Sequence, residues 1–318
     1  MQFGIIGYGS IGKRHVNNLI SLGFNRIILF RSISNDNEYS LTEINDFDQF
    51  LNSSLDAVIL ANPTSLHAKY LHKILKKNIN VLVEKPIISS NQEYKEIKSL
   101  LKKYKGIGMT GYNMRYHPCV STVKNIIKEK TLGKIFSARF FVGQYLPDWR
   151  PKMDYSKSYS SQRKMGGGVL FDLVHEIDLA LYLTGKPTGK ILSKVGKVSK
   201  LSIDSEDMAE ILYSTNDNKF ISIHLDYLSK KYKRYIEIIG ENGNLHADLY
   251  NNKVNWFNSK NQKQKKFPLF SKNDMYLNLI SDFIKCIQRN ISTTINLEEG
   301  LISNQIALGI RSKFYNEK

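Results

Sequence analysis

The sequence predicts an α/β protein of two domains, a doubly wound parallel sheet followed by an α+β domain with an open, mainly antiparallel sheet. Three observations carry this reading. Roughly the first 110 residues alternate short apolar runs with amphipathic helical stretches, the pattern of a parallel sheet covered on both faces. After Pro118 the segments alternate with period two and are punctuated by Gly-Asn pairs and Asn-Asp-Asn, the signature of hairpin-linked antiparallel strands. At 318 residues the chain can hold two cores of ordinary size. The boundary is set at residue 118, giving domains 1–118 and 119–318.

In the first domain, residues 2–6 and 26–30 read as strands, with a helix from Ile11 to Leu22 between them that Gly23 ends as a C-cap. Further strands are expected at 57–60, 81–83 and 106–110, and helices at Leu66–Lys77 and Asn91–Lys103, where apolar residues recur at three and four. In the second, a helix (Val120–Lys130) leads into a long strand, Lys134–Tyr145, with Phe136, Ala138, Phe140 and Val142 on one face. A polar loop, 147–165, precedes a second glycine-rich helix start at Gly166-Gly167-Gly168. Strands follow at 206–215, 219–228, 232–240, 243–250 and 253–257. Helices at Lys272–Arg289 and Leu297–Tyr315 close the chain.

Composition narrows the function classes. The net charge of +17 raises nucleic acid as a partner, but the lysines are scattered and no interleaved aromatic motif accompanies them. The dense run from Lys260 to Lys266 reads as a solvated loop or hairpin. No run of 18 apolar residues occurs, so no membrane partner is expected. The first residues run straight into a strand without a basic, apolar leader, and Cys119 and Cys286 lack metal-type spacing. Free thiols, a cytoplasmic location and no metal follow as expectations.

Gly7, Gly9 and Gly12 follow a strand and open a helix, the context in which G-x-G-x-x-G binds a dinucleotide pyrophosphate. Gly7 allows the tight turn, Gly9 the approach of the pyrophosphate and Gly12 close helix–strand packing. The helix N-terminus, at Ser10 and Ile11, faces the phosphates. Arg31-Ser32 follows the second strand where an NAD site usually carries an acid. The guanidinium and hydroxyl suit a 2′-phosphate, which favours NADP(H) over NAD(H). Arg31 stacking on adenine, and the nearby Asp36, leave NAD(H) as the alternative.

Glu84-Lys85-Pro86 ends the strand at 81–83, about 75 residues after the glycines. The combination resembles the Gfo/Idh/MocA family of nicotinamide-dependent sugar and polyol oxidoreductases, whose Rossmann domain followed by a sheet-based domain matches nearly the whole chain. The resemblance implies an NAD(P)-dependent oxidoreductase moving hydride between nicotinamide and a carbinol or keto carbon of a sugar, amino sugar or nucleotide sugar. It implies that Glu84 and Lys85 meet the cofactor, and that Lys85 reaches both the nicotinamide ribose and the reacting oxygen, where a cation stabilises the developing alkoxide. Pro86 would follow a cis bond. Asn62, Pro63, Thr64 and His67 resemble the segment along the nicotinamide ribose and diphosphate, although Thr64 or Ser65 would be an ordinary N-cap without any cofactor and His67 is as readily a packing residue.

On the substrate side, Tyr112 to Pro118 resembles the family's Asn-x-Arg-Phe-x-Pro stretch, which would turn Asn113 and Arg115 to the cleft. Arg115 is alternatively a structural ion-pair residue. Trp149 and Arg150 resemble a Trp-Arg pair that meets the cofactor in some relatives, and with Tyr145 they read as part of a substrate wall. The family has Gly-Gly-Gly, then Asp, then His four residues on. Here His175 comes three residues after Asp172 and Glu176 four, both on one helical face. His175 is assigned as the base, with a pKa suited to removing a hydroxyl proton. Asp172 orients it or grips a substrate hydroxyl, and Glu176 is the fallback base. Two other readings stay open: a cofactor-binding sensor without turnover, and a redox-neutral sugar-modifying enzyme with tightly held NAD(P). A homodimer or homotetramer is expected by analogy with the family.

Overall fold

The computed structural model describes residues 1–31, 37–258, 261–268 and 270–316. It divides into two compact units, Met1–Asn113 with Lys272–Gln305, and Met114–Ser271 with Ile306–Lys318.

In the first unit the order is β1 (Phe3–Ile6), α1 (Ser10–Ser21), β2 (Ile27–Phe30), β3 (Thr42–Ile44), α2 (Phe47–Leu51), β4 (Ala57–Leu60), α3 (His67–Lys76), β5 (Asn80–Val83), α4 (Asn91–Leu101) and β6 (Gly108–Thr110). The six strands form one parallel sheet in the order β3-β2-β1-β4-β5-β6. Phe3, Ile5, Ala57 to Leu60 and Val81 to Val83 are fully buried, as strands covered on both faces must be. The winding reverses between β1 and β4. That topological switch point places the Gly7 turn and Ala61-Asn62 side by side at the strands' carboxyl ends, where such sheets bind ligands.

In the second unit α5 (Pro118–Lys128) is followed by β7 (Ile135–Gly143) and, between Leu146 and Met165, four short 3₁₀ turns. Then come α6 (Val169–Asp172), α7 (His175–Thr184), β8 (Pro187–Gly196), β9 (Met208–Thr215), β10 (Phe220–Asp226), β11 (Lys233–Gly240), β12 (Gly243–Asp248), β13 (Lys253–Asn258) and β14 (Asn261–Lys266). The sheet order is β14-β13-β12-β11-β7-β10-β9-β8. All pairs are antiparallel except β7 with β10. The inner face, with Phe140, Val142, Ile221, Ile223, Leu225 and Tyr227, is buried, and α6 and α7 pack against strands β7, β9 and β10.

Several expectations are corrected. Phe136 is 46% exposed while Ile135 and Ala138 are buried. The register with β11 slips there, Ile239 facing Ser137 and Gly240 facing Ile135, so a bulge turns Phe136 outward. The lysine-rich run, expected as a loop or hairpin, supplies the second arm of a hairpin: β14 pairs antiparallel with β13 at one edge of the sheet, and the unanticipated β8 forms the opposite edge. The last two helices, α8 (Lys272–Arg289) and α9 (Leu297–Tyr315), were assigned wholly to the second domain. Instead α8 and the start of α9 group with the first unit. α8 packs on α1, where Asn18 and Asn273 exchange amide hydrogen bonds and Arg14 lies over the Tyr276 ring. The start of α9 is tied to the first unit by Asn304, which accepts the Ile87 N–H.

Candidate active site

The glycine turn meets the requirements of a dinucleotide site by measurable geometry. Gly7 has φ +90°, and a Cβ there would stand 2.6 Å from the Asn62 backbone. A Cβ on Gly12 would overlap the Gly7 carbonyl. A Cβ on Gly9, by contrast, would meet nothing within 4 Å. The openness at Gly9 is therefore not required by packing within the chain, and it leaves space beside the turn. Gly9 is the N-cap of α1 and supplies no side-chain cap, and the first turn holds no acid. The N–H groups of Ser10, Ile11 and Gly12 thus present an uncapped helix start, suited to a pyrophosphate. The residues fit the cofactor that the motif implies.

Arg31, at the end of β2, is engaged. Its Nη1 donates to Glu43 Oε1 at 2.7 Å, and its guanidinium lies 5.4 Å from the Tyr8 ring centroid. Ser32, the other expected 2′-phosphate ligand, lies outside the described residues, as does Asp36.

Lys85 is half-buried on a loop fixed at three successive neighbours. Glu84 accepts a hydrogen bond from the buried His15 Nε2 at 2.8 Å. The Lys85-Pro86 peptide is cis, and the Pro86 carbonyl lies 2.9 Å from His67 Nδ1. The Ile87 N–H donates to Asn304 Oδ1 at 2.7 Å. His67, expected along the cofactor, is buried with Nε2 2.8 Å from the Asn62 carbonyl. Its ring is thus a clasp between the 62–67 segment and the Lys85 loop, and burial holds its pKa below the usual histidine value. Pro63 is exposed and Thr64 buried. Asn62 Oδ1 is buried with no partner among the described residues. Asn113, also in this unit, is buried two residues after Gly111, where a Cβ would stand 2.9 Å from Glu84 Oε2.

In the second unit the expected single helix is broken. Asp172 ends α6, and His175 opens α7 after Leu173-Val174. The Tyr227 hydroxyl donates to Asp172 Oδ2 at 2.7 Å, and the Trp149 ring meets Tyr227 edge-on at 5.2 Å. Burial, then the Asp172 charge, raise the Tyr227 pKa well above the usual tyrosine value, so the phenol stays a donor. This brings Trp149, Tyr227 and Asp172 together. Tyr145 is covered by the Lys230 ammonium, 3.0 Å from its ring centroid, while Arg150 is exposed.

The other two acids near His175 are committed elsewhere. Glu176, the fallback base, is 2% exposed and bound in bidentate fashion by Arg234, at 2.6 Å from Nε and 2.9 Å from Nη2. Burial alone would lower the Arg234 pKa, but the Glu176 carboxylate and Tyr232 together outweigh it and raise it. Asp178 is gripped in the same way by Arg115, at 2.9 and 2.7 Å. His175 itself is buried to 9% exposure at the first turn of α7.

Sequence reasoning missed the supports of this region. Glu206, fully buried, accepts hydrogen bonds from the Leu170 N–H and the Tyr315 hydroxyl, and burial raises its pKa. Gly168, with φ +112°, passes so close to this carboxylate that a Cβ would overlap it. Arg311 donates to the carbonyls of Gly167 and Arg163. Glu206 stands 36 residues from Leu170 and Arg311 stands 144 from Gly167, and the glycine triplet was the one local signal for them. Among the described residues no cluster of three potential ligands could hold a metal ion.

Comparison with known proteins agrees with this geometry. Residues 1–112 match the oxidoreductase family model with an NAD-binding Rossmann fold, and residues 120–246 match the GFO/IDH/MocA C-terminal domain. Levoglucosan dehydrogenase of Pseudarthrobacter phenanthrenivorans is 28% identical over 209 residues, 58% of this chain and 52% of that protein. The chain therefore spans about half the length of that relative. Myo-inositol 2-dehydrogenase of Thermotoga maritima is 23% identical over 343 residues, covering 98% of this chain and 95% of that one. A structure of levoglucosan dehydrogenase with NADH and levoglucosan superposes with a TM-score of 0.86 at 18% identity, covering 100% and 98% of the two chains. With both of its units matched in their expected order, the chain belongs to the Gfo/Idh/MocA oxidoreductase family.

Proposed function

We propose that this protein is a nicotinamide-dinucleotide-dependent dehydrogenase or reductase of a sugar, amino sugar or nucleotide-activated sugar, interconverting a carbinol and a keto carbon. The observation that carries the reading is the fixing of Lys85: His15 holds Glu84 before it, His67 contacts Pro86 and Asn304 holds Ile87. A glycine turn alone would serve a sensor that only binds dinucleotide. Holding one ammonium between three anchored neighbours is what placing a charge against a reacting oxygen requires. The dehydrogenases among its relatives point the same way.

The bound cofactor supplies or accepts the hydride. The chain's own residues do the rest. Gly7, Gly9 and the start of α1 receive the diphosphate, Asn62 Oδ1 accepts from the nicotinamide half, and Lys85 stabilises the substrate alkoxide. His175 takes the hydroxyl proton, and Asp172, kept in place by Tyr227, binds a neighbouring substrate hydroxyl. Glu176 is excluded as the base in this scheme because Arg234 occupies both of its oxygens.

The test is to screen sugars and polyols with either oxidised cofactor while following nicotinamide absorbance. Lys85→Met should lower turnover about 100- to 1,000-fold with cofactor affinity nearly intact. His175→Ala should lower it about 100- to 10,000-fold. Unchanged turnover in either variant removes that residue from the mechanism. Nucleotide released on denaturing the pure protein, with no net change in nicotinamide redox state during turnover, would show the redox-neutral chemistry instead.

Two further readings accompany this one. Among the described residues no helix is long and apolar enough to cross a membrane, and Cys119 and Cys286 are free and buried, which suits a cytoplasmic enzyme. The outer face of the second unit's sheet carries a row of stacked rings, His224, Phe141, Tyr235 and His246, with centroids 4.3, 4.8 and 5.4 Å apart. Self-association through this face would give a homodimer or homotetramer, which light scattering would detect.

A further inference from the structure

Arg31 invites a 2′-phosphate, yet its surroundings point the other way. Glu43 lies on β3 in register with Leu29 of β2, so it stands on the same side as Arg31, two residues further along. The carbonyl of Ile44 accepts the Arg31 N–H at 3.3 Å, which ties the two strands at this point. Glu43 Oε1 accepts from both Arg31 Nη1, at 2.7 Å, and Asn37 Nδ2, at 2.9 Å. Both side chains of the ion pair are largely buried, 15% and 11% exposed. The second carboxylate oxygen, Oε2, is buried and has no partner among the described residues. The Tyr8 hydroxyl, in the glycine turn beneath the guanidinium, is likewise buried without one.

We propose that Glu43 makes this protein select NAD(H) over NADP(H): its Oε2 accepts a hydrogen bond from the ribose 2′-hydroxyl of the adenosine half, and its charge repels a 2′-phosphate. The inference rests on the dinucleotide-binding function proposed above and assigns its cofactor. Doubly wound sheets read the 2′ position at the carboxyl end of the second strand, where an acid accepts from the hydroxyl or an arginine receives the phosphate. Here the acid arrives from the neighbouring strand and neutralises the arginine. A 2′-phosphate carries close to two negative charges. Bringing it to Arg31 would set two anions on one cation in a partly buried place, where they are weakly screened. Lys13, 5.5 Å from the Tyr8 ring centroid, is a second cation nearby, but it is exposed, and solvent and salt screen its attraction. A ribose hydroxyl instead gives the orphaned Oε2 the donor it lacks.

The test is fluorescence titration of the full chain with NADH and with NADPH, for the wild type, Glu43→Gln and Arg31→Ala, with a thermal melt of each. The wild type should bind NADH more tightly by roughly 10-fold or more. Glu43→Gln should shift the ratio of affinities toward NADPH by roughly 10- to 100-fold, the range for a hydrogen bond to a charged group. Arg31→Ala should keep the NADH preference, since it leaves Glu43 in place. Tighter binding of NADPH by the wild type, lost in Arg31→Ala, would overturn the proposal while leaving the dehydrogenase reading intact. An unchanged ratio in Glu43→Gln would also overturn it. Binding of neither cofactor by the wild type, with no nucleotide released on denaturation, would sink both. The wild-type ratio decides the sign even if a variant fails to fold.

Discussion

Replacing Glu176 by alanine should damage the fold of the second unit far more than it damages chemistry in the molecules that remain folded. The carboxylate is 2% exposed and its partner Arg234 13% exposed, and two short hydrogen bonds join them. Removing one member of such a pair leaves the other charge buried without compensation, at a cost of about 3–5 kcal/mol. For a unit of this size a kilocalorie shifts the melting temperature by roughly 2–4 °C, so a fall of about 6–20 °C is expected. Circular dichroism melts measure that fall, and turnover per folded molecule, well below the transition, should stay within about tenfold of the wild type. The double change Glu176→Leu with Arg234→Met should recover most of the lost stability, because removing both charges avoids the desolvation penalty. A variant that melts like the wild type but loses turnover by orders of magnitude would refute the argument and make Glu176 the base.

Other outcomes are expected. Gly9→Ala should melt like the wild type yet bind dinucleotide at least about tenfold more weakly, since its Cβ meets only open space; calorimetry separates the two effects. Gly12→Ala should lower the melting temperature as well, because its Cβ overlaps the Gly7 carbonyl. His15→Leu should leave the Glu84 carboxylate without its partner and slow turnover through Lys85, with partial rescue by His15→Gln, which still donates; kcat against KM for cofactor is the readout. The remaining prediction is acid lability. His117 caps α5 by accepting the Cys119 N–H on Nδ1, so that nitrogen is unprotonated, and Nε2 donates to the Leu249 carbonyl. Burial, reinforced by the Arg234 charge, lowers its pKa to about 4. The unfolded chain, with a histidine pKa of about 6.5, binds this proton more readily, so stability is lost as pH falls from about 6.5 toward 4, by roughly 3 kcal/mol in full. Denaturant melts at pH 7 and pH 4.5 should show this loss, and His117→Asn, an N-cap that does not titrate, should reduce it.

What could be read from the sequence follows from the range over which each feature is encoded. The central strands of the first unit are continuous apolar runs, and the glycine turn is a contiguous motif, so both were legible. The three-residue β3 offers no periodicity, and β8, mostly exposed, has no buried alternation to reveal it. The lysines of β14 left loop and hairpin open, and the pairing with β13 makes it the hairpin. His175 and Glu176 were found as neighbours, but their surroundings were not, since the partner of Glu176 stands 58 residues away and that of Asp178 stands 63 away. Glu206, which accepts the Leu170 N–H at the start of α6 from 36 residues away, is announced by no local pattern. Arg31 shows the limit most clearly: its charge suggests a phosphate, while its pairing with Glu43, 12 residues on, is not legible from the sequence.

The two borders of the eight-stranded sheet bear on how this strongly cationic chain stays dispersed. One border, β14, reads Asn-Gln-Lys-Gln-Lys-Lys, and the other, β8, carries Lys190 and Lys194. Both rims therefore meet an approaching strand with positive charge, and a second copy offering either rim is repelled. Stacking through the ring-bearing face stays open, whereas lateral growth of the sheet into ribbons is opposed. Part of the charge that first suggested nucleic acid thus acts as colloidal protection, a role that lysine acetylation or concentrated salt would weaken.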